Sequence, residues 1–181
     1  MEGLTTFKSK TLRSYPEVTP YWDFIESFII KSECNRIEIH DLKIGVAVSF
    51  FDCIIFTEKT FTQHLPKFLF TVFHEFAHQY QFKKYGKDKM LELYTDKINS
   101  VEGAKIMKSI EIVADEFATR KIRELQKKGY LKSIMLPQGI YKQMSLETFT
   151  QTIEHLKSQV KDLGLKTSEE ISNEFYKWLK N

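Results

Sequence analysis

Apolar and polar positions follow two rhythms along this chain, and the change between them falls near residue 66. Before it, short segments read mostly as strands, one of them with period-two alternation. Arg36 to Leu42 places Ile37 and Ile39 between Glu38 and His40, the pattern of a half-buried strand. Val46 to Phe50 and Cys53 to Thr57 are rich in β-branched and aromatic residues and read as two more strands, with Asp52 at the turn of a hairpin. Tyr21 to Lys31, opened by Pro20, predicts a short helix, while residues 1–19, interrupted by Pro16, predict irregular chain.

After Pro66 the spacing becomes helical. Lys67 to Lys84 contains neither Pro nor Gly and is apolar on most faces, which predicts a central buried helix stopped by Gly86. Gly86 to Gly103 is polar and predicts a loop with one helical turn. Ala104 to Lys128 carries Ile106, Ile110, Val113, Ala114, Phe117, Ile122 and Leu125 at helical spacing and ends at Gly129. Pro137 and Gly139 mark a further loop, and two terminal helices are expected over about 145–163 and 168–180. Thr167 and Glu170 stand at capping-box spacing for the second of these. The expected fold is α+β: a small antiparallel sheet with helices packed on one face, in a single domain over residues 1–181.

Composition changes this picture little. The 181 residues are 42% hydrophobic and 14% aromatic, enough for a packed core. A net charge of +3 with mixed signs gives no reason to expect a nucleic-acid partner. Two cysteines, Cys34 and Cys53, make no disulfide framework, and Cys53 in its apolar run reads as a buried free thiol. Residues 1–10 lack an apolar signal core and no apolar run approaches the roughly 20 residues of a membrane span, so a soluble, cytoplasmic protein is expected.

The chemistry is concentrated in His74-Glu75-Phe76-Ala77-His78, an H-E-x-x-H in the most apolar helix. Positions i and i+4 share a helix face, so both imidazoles can point at one zinc ion, with Glu75 beside them as general base. Two histidines and a glutamate are costly in such a helix unless ligated or paired. A catalytic zinc takes a third protein ligand and leaves a position open. Gln81 and Lys84 stand where a metzincin would need glycine and histidine, which excludes that class. Glu111 on the later helix is the favoured third ligand, with His155 and His64 as rivals. Glu111, Ala114, Asp115 and Ala118 share a face; the small alanines permit close helix approach, and Asp115 can accept a hydrogen bond from a ligating imidazole. Glu116 falls on another face and is expected to be solvated.

His74-Glu75-x-x-His78 followed by Glu111-x-x-Ala114-Asp115 resembles the gluzincin pattern of thermolysin-like peptidases, and over about residues 36–125 most resembles the ImmA/IrrE-type zinc peptidases. The resemblance implies a zincin-like core with an active-site helix and a glutamate helix, Zn2+ as cofactor, and hydrolysis of peptide bonds in a protein or peptide substrate. It also implies an edge strand near residues 46–51 that binds extended substrate. The sequence shows no helix-turn-helix of the sort many members carry, and Leu136-Pro137 is a distant echo of a family motif. Such enzymes also stabilise an oxyanion, for which Tyr94, Tyr130, Tyr141 and His155 are candidates. The alternatives are a catalytically silent zincin-fold binding or structural module, and a helical interaction protein in which both motifs are accidental.

Overall fold

The computed structural model describes residues 1–40, 47–92, 100–132 and 139–153. Helix α1 (Leu4–Ser14) and a 3-10 helix (Pro16–Tyr21) lead into α2 (Trp22–Lys31). Strands β1 (Arg36–His40), β2 (Ala47–Phe50) and β3 (Cys53–Thr57) follow, then a second 3-10 helix (Glu58–Thr62). The long helices are α3 (Leu65–Tyr85) and α5 (Val101–Lys127), with the short α4 (Lys87–Glu92) between them. Residues 146–153 are again helical. The molecule is α+β.

The sheet corrects the expectation of an antiparallel arrangement. Its order is β1-β3-β2, with β2 antiparallel to β3 and β1 parallel to β3. The hairpin is present, and Asp52 takes a left-handed φ of 62° at its turn. But β3 inserts between the two strands that precede it. Period-two alternation fixes which face a side chain takes and is silent on which neighbour a strand joins.

The register puts Ile37, Ile39, Ala47, Ser49, Ile54 and Phe56 on one face, and there the helices pack. Phe7 of α1 stacks on Phe56 at 4.8 Å between ring centroids, and Ile54 and Phe56 are fully buried together with Phe68, Val72, Phe73 and Phe76 of α3. On the opposite face Glu38 and His40 pair with one another near solvent. Fully burying one such aromatic or aliphatic side chain contributes roughly 1.5–3 kcal/mol.

The second correction is α1, where irregular chain was expected. Only Phe7 and Thr11 of this helix are fully buried, so a Lys- and Thr-rich sequence hides its apolar stripe. Gly3 makes its start possible. It has φ 78°, and a Cβ there would stand 1.8 Å from the carbonyl oxygen of Ile37. That close approach lets Glu2 pair with β1.

Helix α3 begins at His64, whose Nδ1 accepts from the Lys67 amide at 3.3 Å, and ends at Gly86 with φ 82°. It has fourteen buried residues, as expected of a central helix. Ala114 and Ala118 are fully buried on the face that α5 turns towards α3. Helix α5 starts three residues before the predicted Ala104, because Ser100 accepts from the Gly103 amide and caps it. A smaller apolar cluster of Phe82, Met90, Met107, Ile110 and Phe149 lies beside the larger core. Cys34 and Cys53 are both buried free thiols. No helix among the described residues is long and apolar enough to cross a membrane. The 168–180 helix, the Thr167–Glu170 cap, most of the 145–163 helix and Leu136-Pro137 lie outside the described residues.

Candidate metal centre

Helices α3 and α5 bring His74, His78 and Glu111 together, all buried. His74 Nε2 and His78 Nε2 stand 3.1 Å apart. Glu111 Oε2 lies 3.2 Å from the first and 3.6 Å from the second. Among the described residues this is the one group of three or more His, Cys, Asp or Glu side chains placed to hold a metal ion. The rival His64 serves as the cap of α3, and His155 lies outside the described residues.

The protonation of both rings follows from their other partners. His74 Nδ1 is 3.0 Å from Asp115 Oδ1, and an ionised carboxylate can only accept, so Nδ1 carries the hydrogen. His78 Nδ1 is 2.7 Å from Gln81 Oε1, while Gln81 Nε2 donates to the Ile110 carbonyl at 2.9 Å. The carbonyl requires the amide nitrogen, which leaves the amide oxygen for His78 and makes its Nδ1 the donor too. Both Nε2 atoms therefore turn lone pairs towards each other and towards a carboxylate oxygen. Facing acceptors at this distance call for a cation between them, a proton or a metal ion.

The titration behaviour expresses the same arrangement. Burial opposes charge on His74, but hydrogen bonds to Asp115 and Glu111 and the charges of Glu75 and Glu111 outweigh it, and its pKa is pushed up to about 10. Burial likewise opposes charge on His78, and the Glu111 carboxylate overcomes it, so that pKa is raised as well. For Glu111, burial acts to raise the pKa, but the His78 charge and the hydrogen bonds from both imidazoles hold the carboxyl well below the usual carboxylate range.

The donor set fits zinc. Two imidazole nitrogens and one carboxylate oxygen suit a borderline-soft divalent ion better than magnesium or calcium. Bonds of 2.0–2.1 Å in a tetrahedron place ligand atoms about 3.3 Å apart. The three separations given above bracket that value. Were these three donors to hold zinc, a position would remain for a further ligand.

Around this cluster, Glu75 is buried and its charge is felt at His74, His78 and Tyr141. Among the described residues, no donor engages its carboxylate. Its backbone carbonyl accepts from Ser49 Oγ at 2.8 Å, which ties β2 to α3 beside the cluster. Among the described strands, β2 is an edge of the sheet. Tyr141 lies over His74 with ring centroids 6.3 Å apart and packs edge-on against Phe149 at 5.9 Å. Burial, then the charges of Glu111, Asp115 and Glu75, raise its pKa, so the hydroxyl stays protonated. Tyr130 is 43% exposed and stacks on Tyr21 instead, and Tyr94 lies outside the described residues. Glu116 is exposed and pairs with Lys142 at 3.4 Å, the solvated role expected of it.

Gln81 and Gly139 are the participants that sequence reasoning missed. Gln81 lies three residues after His78, on the same helix face, and that spacing was the available signal. Gly139 presses against Asp115 from a distant loop and has no local signature. In comparisons with protein families, with characterised proteins and with solved structures, the chain matches none.

Proposed function

We propose that this protein is a zinc metallopeptidase with a zincin-like core, in which His74, His78 and Glu111 hold the ion. The observation that carries the reading is the pair of Nε2 lone pairs at 3.1 Å with the Glu111 carboxylate beside them. The resemblance to gluzincins, and to ImmA/IrrE-type peptidases in particular, supplies the peptidase assignment.

When bound, zinc supplies Lewis acidity, polarising the scissile carbonyl and acidifying the attacking water. Glu75, whose carboxylate no donor among the described residues engages, takes the proton from that water and returns it to the leaving amine. Tyr141 is the hydroxyl best placed among the described candidates to donate to the developing oxyanion. Asp115 holds the His74 ring in the tautomer that turns Nε2 to the ion. Strand β2, fixed to α3 through Ser49, offers its edge to an extended peptide.

The test combines metal analysis of the purified protein with cleavage of a peptide library, with and without chelator. One zinc per chain and chelator-sensitive cleavage are expected. Glu75→Gln is expected to keep the zinc and abolish cleavage, while His74→Ala, His78→Ala and Glu111→Ala lose the zinc. Protein that takes up no zinc would overturn the reading. Stoichiometric zinc with no cleavage of any peptide would favour a silent binding module.

A further inference from the structure

We infer that Gln81 is a positioning residue for the metal centre: its one amide sets the tautomer of His78 and anchors the turn of α5 that carries Glu111. This deepens the metal reading above and rests on it. Gln81 is buried, with 6% of its surface exposed, between the two ligand-bearing helices. A buried amide needs partners for both ends, since an unsatisfied donor or acceptor costs about 1–3 kcal/mol. Here both ends are used within the site. The nitrogen donates to the carbonyl of Ile110, the residue immediately before Glu111. The oxygen accepts from Nδ1 of His78.

The two bonds act in series. The Ile110 carbonyl can only accept, so it fixes the amide's orientation. The fixed amide oxygen then makes Nδ1 the protonated nitrogen of His78 and frees Nε2 for the ion. Were the amide reversed, its NH2 would face Nδ1, and the favoured tautomer would carry its proton on Nε2, inside the ligand cluster. The Gln81 bridge also sets the distance between α3 and α5 at the level of the ligands. His74 has a separate orienting partner in Asp115, so each ligating ring is held by its own acceptor. Gln81 is neutral, which leaves the charge of the cluster to Glu111, Glu75 and Asp115.

Two substitutions separate the tautomer role from that of a strut. Gln81→Leu fills similar volume and offers no acceptor. Gln81→Glu keeps an acceptor for Nδ1–H and loses the donor to Ile110. Zinc affinity is read by competition of zinc alone against a chromophoric chelator, and the thermal stability of the zinc-free protein is read in parallel. Both variants are expected to melt below the wild type without metal. Gln81→Leu is expected to bind zinc about 10–100-fold more weakly. Gln81→Glu is expected to stay within about threefold of the wild type, because the orienting bond to His78 persists. In the zinc-loaded protein, the His78 Nδ1 proton should be protected from exchange by nitrogen-edited NMR in the wild type and Gln81→Glu, and exposed to exchange in Gln81→Leu. Wild-type affinity in Gln81→Leu would overturn the positioning role, and equal weakening in both variants would overturn the tautomer role. A wild type that binds no zinc would instead overturn the metal reading, so the two failures are distinct.

Discussion

Gly139 packs so closely on Asp115 that a Cβ at position 139 would lie 2.5 Å from Asp115 Oδ2 and 2.8 Å from its Cβ. Real side chains do not approach so closely, and Asp115 sits on a helix held against α3 by fully buried alanines. Among the described residues Asp115 Oδ2 is buried without a hydrogen-bond partner, and there the contact with Gly139 confines that half of the carboxylate. The other half orients His74. The loop residue therefore bears on the His74, His78 and Glu111 cluster through the acid that orients His74.

It follows that Gly139→Ala must either lift its loop from α5 or turn Asp115 away from His74. Overpacking of this kind costs typically 1–3 kcal/mol. Loss of the Asp115 bond weakens metal binding about 10–100-fold. Thermal unfolding and zinc competition on the same variant measure both. Wild-type values in both would show that the contact is slack.

The protonation of the cluster gives a pH dependence with a definite sign. His74 has a folded pKa of about 10 against an ordinary 6.5, so its stabilisation of the metal-free protein is complete below the ordinary value and is lost as pH rises through about 10. Glu111 is depressed from 4.5, so its contribution is present above that value and is lost as pH falls towards the folded pKa. Zinc needs the imidazoles unprotonated and would displace a proton held between the two Nε2 atoms. The rise in melting temperature on adding zinc should therefore grow as pH is raised from about 6 to about 9. Calorimetry in two buffers of different ionisation enthalpy should show about one proton released per zinc near neutral pH. A zinc effect that shrinks with rising pH would contradict the protonated cluster.

The side chains that cluster were legible in the sequence as far as the spacing within each helix is local. His74 and His78 are one helical turn apart, and Glu111, Ala114, Asp115 and Ala118 repeat the same three-and-four spacing, so the faces follow from the period of the helix. Burial of Glu111 and Asp115 beside Ala114 and Ala118 matches what that spacing implied. The parallel pairing of β1 with β3 was not legible, since Ile37 and Ile39 would alternate identically against either neighbour. Helix α1 escaped because its contact with the core is narrow and its cap depends on a long-range meeting of Gly3 with Ile37. Tyr141 and Gly139 reach the site from a loop whose own residues carry no period. Sequence reading could nominate Tyr141 among four candidates, and of the two that are described tertiary packing brings Tyr141, and not Tyr130, over His74.

That placement makes Tyr141→Phe the most informative single change for catalysis. The substitution keeps the ring that packs on His74 and Phe149, so fold and zinc content should hold. It removes a hydroxyl that, among the described residues, is committed to no other partner. Burial and three nearby carboxylates keep that hydroxyl protonated, so it is available as a donor across the working pH range. Loss of one oxyanion donor costs about 10²–10³ in kcat. The expected result on a cleaved peptide is therefore a fall of about that size in kcat, with KM little changed and zinc stoichiometry unaltered. Because a donor that acts only as charge develops in the transition state leaves ground-state binding alone, a variant whose defect lies wholly in KM would place Tyr141 in substrate binding. A variant that turns over like the wild type would remove it from the reaction.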